Sequence, residues 1–200
     1  MNPVFHENPF LKLDLIKAWG PATFDMALPL VKPVNIRPSM RVLEVGGGSG
    51  YIAATIAKYW DVSVVTLEPW AKSGNNEIQA YAAVRGVENQ VLQLKIRAQS
   101  LPFADNTFDA IISIGSFEMI GDERPLALSE MVRVAKPGAR IGIAEPMCQP
   151  IPMPAELVEL DNQFSLGFQA SFKTLDWNCN LFAGQGLPIT DSYYFDEAYQ

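Results

Sequence analysis

The sequence predicts an α/β fold in which a doubly wound, mostly parallel sheet carries helices on both faces. From residue 40 onward, apolar runs alternate with segments of helical period, which is the pattern of successive βα units. A glycine-rich loop at 46–50 joins the first apolar run to the first helical segment. The turn Lys136-Pro137-Gly138 ends a later helical segment and leads into another apolar run. These observations together favour one parallel sheet.

The same pattern predicts five strands and three helices between them. The strands are expected at 40–45, 62–68, 91–96, 108–114 and 139–145. The helices are expected at 51–59, 75–85 and 124–135. Gly86 is a natural C-cap for the second helix, because glycine accepts the left-handed conformation that ends a helix. Pro125 suits the first turn of the third helix.

The loop Gly46-Gly47-Gly48-Ser49-Gly50 predicts a nucleotide-cofactor site. A strand that turns on glycines into a helix exposes backbone N–H groups and the positive end of the helix to a ligand. This loop also satisfies the loose dinucleotide fingerprint. Glu44 at the strand end favours S-adenosylmethionine, because a carboxylate attracts an ammonium and a sulfonium and repels a pyrophosphate. Glu68, which closes the second strand, can hold two ribose hydroxyls in either cofactor class.

Composition and charge argue against several classes of function. The 200 residues suffice for one domain with a core of its own. The 15 basic and 22 acidic side chains give a net charge of −7, which argues against nucleic-acid binding. No apolar stretch reaches the ~18 residues that span a bilayer, and no signal-peptide pattern is visible, so we expect a cytoplasmic protein. Cys148 and Cys179 are expected to be free thiols, and a single histidine, His6, argues against a metal site.

The parts of the chain outside this core are expected to belong to the same domain. Residues 1–36 carry apolar and aromatic side chains without a strand pattern, which predicts one or two short helices lying over the sheet. Prolines at 146, 150, 152 and 154 predict a loop after the fifth strand, at the carboxyl edge where ligands of such sheets bind. The predicted division of the single domain 1–200 is a helical cap (1–36), a cofactor-binding core (38–146) and a substrate-side C-terminal part (147–200).

Three landmarks, taken in order, resemble the class I S-adenosylmethionine-dependent methyltransferases. They lie at 42–50, 101–109 and 133–138, and the resemblance covers about residues 38–146. Each landmark is weak alone, whereas the three at this spacing are specific. The resemblance implies a Rossmann-like sheet, S-adenosylmethionine as the cofactor, and methyl transfer to a small-molecule substrate.

The resemblance also implies roles for individual residues. Glu44 would lie near the ammonium of the cofactor, Glu68 would hold the ribose, and Trp70 would contact adenine, although a surface aromatic is an equally good interpretation of Trp70. The implied cofactor-binding residues are Glu44, Gly46, Gly47, Gly48, Gly50, Glu68, Pro69, Trp70, Arg97, Ala98, Gln99, Ile114 and Gly115.

The chain departs from the family pattern at Ile96-Arg97-Ala98. The family commonly has Gly-Asp-Ala here, and its acid accepts a hydrogen bond from the adenine amino group. Arg97 cannot accept a hydrogen bond. Two alternatives follow: the Ala98 backbone and the Gln99 side chain contact adenine instead, or Arg97 points outward.

A second departure concerns the C-terminal strands. The family expects two more strands after the fifth, and residues 188–195 can supply the sixth, whereas no residues are left for a seventh. The sequence leaves open whether the last strand is lacking because the chain is a truncated piece or a shortened natural form. Because an unpaired edge recruits other strands, we expect self-association through that side, or residues 186–200 rearranged against the fifth strand or poorly ordered.

Glu118 is the best candidate for a catalytic residue, because it follows the fourth strand at the edge where the methyl group should lie. The run Phe117-Glu118-Met119 resembles one motif of the cyclopropane fatty acid synthases, in which a glutamate in Phe-Glu-His helps to hold a bicarbonate. Met119 replaces that histidine, so cyclopropanation is a distant option. The plainer interpretation of Glu118 is a solvated residue at a helix start. His6 is a weaker candidate for a base.

Three functions stay open from the sequence. Methyl transfer from S-adenosylmethionine to a small molecule is the leading hypothesis. A non-catalytic S-adenosylmethionine-binding protein or an inactive fragment is suggested by Arg97 and by the missing strand. An NAD-dependent oxidoreductase is less favoured, because Glu44 would face a pyrophosphate and no Tyr-Lys or His-Asp pair for hydride chemistry is found.

Overall fold

A five-stranded sheet forms the centre of the computed structural model, which describes residues 7–11, 23–70 and 77–195. Its strands are β1 (Arg41–Val45), β2 (Ser63–Leu67), β3 (Val91–Leu94), β4 (Phe108–Ile114) and β5 (Ala135–Ala144). They lie in the order β3-β2-β1-β4-β5, and every pairing is parallel. The predicted parallel sheet is therefore confirmed for the five strands.

Helices flank both faces of the sheet. They are α1 (Thr23–Val34), α2 (Tyr51–Trp60), α3 (Glu77–Val84), α4 (Arg124–Val134), α5 (Ala155–Phe164), α6 (Phe168–Ser171) and α7 (Leu175–Gly184), with a 3-10 helix at Phe117–Glu123. The three predicted helices correspond to α2, α3 and α4. Helix α1, within the range predicted as a cap, lies against β4 and β5, whereas the rest of that range lies largely outside the described residues. The sequence did not predict α5, α6 and α7.

Neighbouring residues of each central strand point into two different hydrophobic clusters. Val42 and Ile112 pack with α1 and α2 on one face, whereas Leu43 and Ile111 pack with α4 on the other. Side chains alternate between the faces of a strand, so the apolar pairs Val42-Leu43 and Ile111-Ile112 require a covered sheet on both sides. This double covering is what the unbroken apolar runs predicted.

Arg133 connects two of the landmark motifs. Its guanidinium donates to the carbonyl oxygens of Phe103 and Leu101 at 2.8 and 2.9 Å, and Glu130 accepts a bond from the Leu101 N–H at 2.8 Å. The bond from Arg133 to Glu130, together with the Leu101 N–H, lowers the pKa of Glu130 to about 2. The loop before β4 is thereby fastened to α4, which explains why the two motifs occur together.

Strand β5 begins earlier than predicted. Ala135 pairs with Phe108, the pairing is then irregular, and the regular register resumes at Arg140 opposite Ala110. Gly138 in the interruption has a φ of +81°, a conformation that suits glycine. The turn that was expected to precede the strand is therefore an irregularity inside it.

The prediction of a sixth strand at 188–195 is wrong. These residues have no regular secondary structure and run beside β5 and α7. The Tyr194 hydroxyl donates to the Cys148 carbonyl at 3.1 Å and accepts from the Leu175 N–H at 3.2 Å, while Phe195 packs against the core. Side-chain anchors of this kind direct the segment away from ladder pairing. Pro188 at its start also lacks the N–H that a ladder needs.

Candidate functional site

The glycine loop after β1 folds tightly onto the end of β2. The N–H groups of Gly46 and Gly47 both donate to the Leu67 carbonyl at 2.9 Å, and the Gly50 N–H donates to the Gly47 carbonyl at 2.7 Å. Gly46 and Gly50 have φ angles of +82° and +83°. Gly50 then forms the N-cap of α2, so the loop delivers the chain directly into a helix start, as predicted.

The inner side of this loop has no room for side chains. A Cβ atom on Gly46 would overlap the Ser116 side chain, and one on Gly47 would overlap the Thr66 hydroxyl. A Cβ atom on Gly50 would come within 2.7 Å of Ile78. One side of the loop backbone is therefore packed against these side chains. On its other side Gly46 is half-buried and lines a cleft.

Glu68 fastens the loop from the neighbouring strand. One carboxylate oxygen accepts from the Gly48 N–H at 2.9 Å, and the other accepts from the Trp70 N–H at 3.1 Å. The side chain is buried among these bonds and still has lone pairs, because each carboxylate oxygen can accept two hydrogen bonds. Glu68 thus sets the shape of the loop, and its predicted bond to a ribose stays a prediction.

Glu44 lies behind the loop and does not line the cleft. Its carboxylate is 2 % exposed and accepts a hydrogen bond from the Thr66 hydroxyl at 2.6 Å. Burial raises the pKa of Glu44 to about 7; the Thr66 bond opposes that rise, and the Glu68 charge adds to it. Glu44 is not among the residues that line the cleft, and its predicted contact with a cofactor ammonium stays a prediction.

The cleft beside the loop is lined by residues at or after the carboxyl ends of four strands, β1, β2, β3 and β4. Its volume is about 130 Å³. Six predicted residues line it: Gly46, Pro69, Trp70, Arg97, Ala98 and Gln99. Other lining residues that the sequence reasoning missed are Ser116, Met119, Ile120 and Glu123. The carboxyl ends of β1, β2, β3 and β4 therefore converge as the topology predicted.

Glu123 supplies a hydrogen-bond acceptor that Arg97 cannot. Arg97 is exposed on the cleft wall, and the Gln99 side-chain amide donates to the Glu123 carboxylate at 2.9 Å. Glu123 follows Gln99 by 24 residues, and the 3-10 helix brings it to the cleft. The two acids in the run Gly121-Asp122-Glu123, which follows β4 in the chain, were the sequence feature that could have indicated this acceptor.

Seven predicted cofactor residues do not line the cleft: Glu44, Gly47, Gly48, Gly50, Glu68, Ile114 and Gly115. Ile114 is buried at the end of β4, and the Gly115 N–H donates to the Ala144 carbonyl of β5 at 2.7 Å. Ser116 takes the place predicted for them, and its hydroxyl donates to the Gly46 carbonyl at 3.1 Å. The end of β4 is thus bonded to β5 on one side and to the glycine loop on the other.

Glu118 is buried, so its interpretation as a solvated residue is wrong. Its side chain is 4 % exposed, and its Oε2 atom accepts no hydrogen bond from the described residues. Burial raises the pKa of Glu118 to about 7, against the opposing effects of its own backbone N–H and of Arg124. A carboxyl group of this kind can exchange a proton near neutral pH.

Arg124 connects this region to the end of β5. Its guanidinium lies 3.4 Å from the Glu145 carboxylate, and both side chains are fully buried. It also donates to the carbonyl oxygens of Gly121 at 3.0 Å and Ala170 at 2.7 Å, and it lies 4.5 Å from the centre of the Trp177 ring. Helices α6 and α7 are therefore fastened to the 3-10 helix through one buried cation.

Glu145 carries the highest of the raised carboxyl pKa values. Burial and the Glu118 charge raise its pKa to about 8, while Arg124 and Asn178 oppose the rise. The Oε2 atom of Glu145 and the Oδ1 atom of Asn178 accept no hydrogen bond from the described residues. No pattern in the sequence indicated this pair, because 33 residues separate the two positions and only the packing of α7 joins them.

The remaining sequence candidates are one histidine and two cysteines. His6 lies outside the described residues. Cys148 and Cys179 are free, and the described residues contain no group of three or more His, Cys, Asp or Glu side chains that could hold a metal ion. In the described part of the chain no helix is long and apolar enough to cross a membrane.

Comparison with known proteins decides which family this site belongs to. Residues 43–143 match the methyltransferase domain family. The chain belongs to the class I S-adenosylmethionine-dependent methyltransferases. The matched residues contain the glycine loop, Glu68, the whole cleft and Glu118, whereas Glu145 and Asn178 follow the matched region.

Two curated relatives carry methyltransferase names. The chain is 33% identical over 144 residues to an O-methyltransferase of Pyrenophora dematioidea, a match that covers 70% of this chain and 49% of the relative. It is 28% identical over 193 residues to the ubiquinone/menaquinone biosynthesis C-methyltransferase UbiE of Burkholderia multivorans, covering 94% of this chain and 68% of the relative. The chain thus spans about half the length of the first relative and two thirds of the second.

Solved methyltransferase structures share the fold. Phosphoethanolamine N-methyltransferase 2 of Haemonchus contortus, in complex with S-adenosyl-L-methionine, superposes with a TM-score of 0.68 at 20% identity. The match covers 85% of this chain and 38% of that one. At this identity the likeness establishes the Rossmann-like methyltransferase fold, which confirms the predicted fold class.

Proposed function

We propose that the chain binds S-adenosylmethionine in the cleft beside the glycine loop and catalyses transfer of its methyl group to a small molecule. The observation that carries this proposal is the Glu68 carboxylate, which shapes the loop through Gly48 and positions Trp70 at the cleft. Family membership and the net charge of −7, which disfavours nucleic acid as the substrate, support the same proposal.

The residues of the cleft fit an adenosyl group. Pro69, Trp70 and Ala98 offer apolar surface in the cleft for a purine ring. The free lone pairs of Glu68 suit ribose hydroxyls, and the backbone of Gly46 suits close approach by the amino-acid end. Glu123, with Gln99, supplies the acceptor for an adenine amino group in place of the missing acid at Arg97.

Glu118 is proposed as the residue that handles a proton of the methyl acceptor. When bound, S-adenosylmethionine supplies an electrophilic methyl group on a sulfonium sulfur. The protein then needs to align the acceptor, exclude water and, for some acceptors, remove a proton. Glu118 is buried, has an unpartnered oxygen and has a pKa of about 7, which are the properties of a group that can take a proton at neutral pH.

The Glu118 role predicts a separation of binding from turnover. Glu118→Gln should leave the affinity for S-adenosylhomocysteine within about twofold of the wild type, because Glu118 does not line the cleft. The same change should lower methyl transfer by about 10²–10⁴-fold, the usual contribution of a general base. Turnover equal to the wild type would remove Glu118 from the reaction.

The proposal also includes a cytoplasmic location and self-association of the chain. The two free cysteines suit the reducing cytoplasm. Within the described residues β5 pairs only with β4, and α1, α7 and the segment 188–195 lie along its other edge, so self-association through this edge would have to displace part of that cover. Sedimentation velocity between 1 and 100 µM would show a concentration-dependent dimer if this edge pairs, and a monomer throughout would contradict it.

Calorimetry with S-adenosylhomocysteine and with NAD tests the cofactor. We expect saturable binding of S-adenosylhomocysteine and none of NAD, and the reverse order would favour an oxidoreductase. Tight binding without methyl transfer to any acceptor in a broad panel would favour a non-catalytic binding protein. Glu88→Ala, an exposed position before β3, serves as the control for substitutions at Glu68.

A further inference from the structure

A second cavity lies along the outer edge of β5. Its volume is about 240 Å³, and it shares no lining residue with the cleft beside the glycine loop. Helix α1, helix α7 and the segment 188–195 enclose it, and its walls are mostly apolar. Representative wall residues are Met26, Leu30, Ile143, Phe182 and Ile189.

One end of this cavity is polar and incompletely bonded. Glu145 and Asn178 both line it, and each is 6 % exposed. Glu145 Oε2 and Asn178 Oδ1 are buried oxygen atoms that accept no hydrogen bond from the described residues. Buried acceptors without a partner are rare and costly in folded proteins, so a hydrogen-bond donor is expected at this end of the cavity.

The charges around Glu145 favour a cationic donor. Two carboxyl groups, Glu118 and Glu145, face one guanidinium, Arg124, which also donates to two backbone carbonyls. With both acids ionised, this buried group has one uncompensated negative charge. A neutral donor would satisfy the oxygen atoms, whereas an ammonium group would satisfy the oxygen atoms and the charge together.

This polar end lies close to the proposed cofactor site. Glu145 directly follows β5, whose last residue accepts from the Gly115 N–H, and the next residue, Ser116, donates to the Gly46 carbonyl. The ends of β1, β4 and β5 are thus joined by consecutive hydrogen bonds. A group held at Glu145 would be positioned on the substrate side of the glycine loop.

We infer that the β5-edge cavity binds a small apolar amine whose ammonium group is held by Glu145 and Asn178. The apolar body of the amine would occupy the space between α1, α7 and the segment 188–195. The inference rests on the proposed function in one respect, which is that the bound amine belongs to the substrate class of the methyl transfer. Binding of the amine to the cavity does not itself require methyl transfer.

The titration of Glu145 adds a second signature. With a pKa of about 8, Glu145 is mostly protonated at pH 7, so an ammonium must displace that proton on binding. The charged groups that face Glu145 are Glu118 from the 3-10 helix and Arg124 from α4, and α7 contributes Asn178. Arg140 and Asp191 also line the cavity. Amine affinity should therefore rise between pH 6 and pH 8.5.

The test uses three probes of similar shape: 2-phenylethylamine, 2-phenylethanol and 3-phenylpropanoate. Calorimetry on the whole chain should give at least tenfold tighter binding of the amine than of the alcohol at pH 8.5, with no binding of the carboxylate. Glu145→Gln should reduce amine affinity at least tenfold and leave alcohol affinity unchanged. Glu159→Gln, at an exposed position on α5, is the matched control.

A second variant guards against misfolding of Glu145→Gln. Ile189→Trp enlarges a partly exposed wall residue away from Arg124 and should weaken binding of both amine and alcohol without altering their ratio. Equal affinity for the three probes, or no binding of the amine by a protein that binds S-adenosylhomocysteine, would overturn the inference while the proposed function stands. Failure to bind S-adenosylhomocysteine would instead overturn the proposed function, and an amine preference that depends on Glu145 would still support the cavity.

Discussion

The loop after β1 pairs its polar groups within the chain, whereas the residues after β4 and β5 leave buried oxygen atoms without partners. Gly46, Gly47 and Gly48 all donate to partners on or just after β2, and Glu44 is bonded to Thr66. Glu118, Glu145 and Asn178 each keep an unpartnered oxygen. The glycine loop therefore already has a conformation that a ligand can approach at the backbone. The residues after β4 and β5 need hydrogen-bond donors from a ligand to satisfy their buried oxygen atoms.

The largest expected effect comes from removing the cation of the second region. Arg124→Met should lower the free energy of unfolding by about 3–5 kcal/mol, because it leaves the buried Glu145 carboxylate without its partner. Arg85→Met is the control, since Arg85 also lies over a ring, that of Tyr81, but is only half-buried. Urea denaturation of both variants measures the difference, and equal losses would contradict a special role for Arg124.

The pH dependence of stability is the next largest effect. The pKa values of Glu44 and Glu118 are raised to about 7 and that of Glu145 to about 8, from an ordinary 4.5. Above pH 4.5 the unfolded chain releases these protons while the folded chain keeps them, so stability falls as pH rises, by at most about 1.4 kcal/mol per pH unit for each group. Below pH 4.5 this contribution is fully present.

Thermal melts between pH 5 and pH 8 should therefore show a falling Tm. Glu145→Gln should reduce the slope over the whole range up to pH 8, whereas Glu44→Gln should reduce it only below pH 7. The two variants thus distinguish the buried acid behind the glycine loop from the buried acid after β5. A Tm that is constant over the whole range would contradict the burial of these acids.

A methyl group added to the glycine loop should have a smaller effect. Gly47→Ala should lower the free energy of unfolding by about 1–3 kcal/mol, because its Cβ atom would overlap the Thr66 hydroxyl. Gly184→Ala in α7 meets nothing within 4 Å and is expected to be neutral or stabilising. Identical stability of the two variants would mean that the loop is not packed as described.

The smallest effect is expected at the open side of the cleft. Trp70 is 62 % exposed, so Trp70→Ala should leave Tm unchanged while weakening S-adenosylhomocysteine binding by about 1 kcal/mol. Phe164→Ala, an aromatic on α5 that is 59 % exposed, should change neither quantity. Unchanged ligand affinity of the Trp70 variant would return Trp70 to the class of ordinary surface aromatics.

Features that depend on local sequence were predicted well. The glycine loop and the apolar runs on either side of it are contiguous, so spacing alone located β1, the turn and α2. Glu68 was found for the same reason, because it closes the next apolar run.

Features that depend on packing between distant segments were missed. Glu123, Glu145 and Asn178 acquire their partners only when the 3-10 helix, β5 and α7 meet. Residues 188–195 were expected to supply a sixth strand, but the hydrogen bonds of the Tyr194 hydroxyl hold that segment outside the sheet ladder.

Calorimetric titration of S-adenosylhomocysteine into the wild type, Glu68→Ala and Glu145→Gln tests most directly whether the cofactor binds at the glycine loop and the acceptor at the ends of β4 and β5. We predict that Glu68→Ala weakens binding by about 1.5–3 kcal/mol, the scale of hydrogen bonds to a charged group, whereas Glu145→Gln leaves it within about twofold. Equal losses in both variants, or an unchanged affinity in Glu68→Ala, would contradict the assignment of the cofactor to the glycine loop and of the acceptor to the ends of β4 and β5.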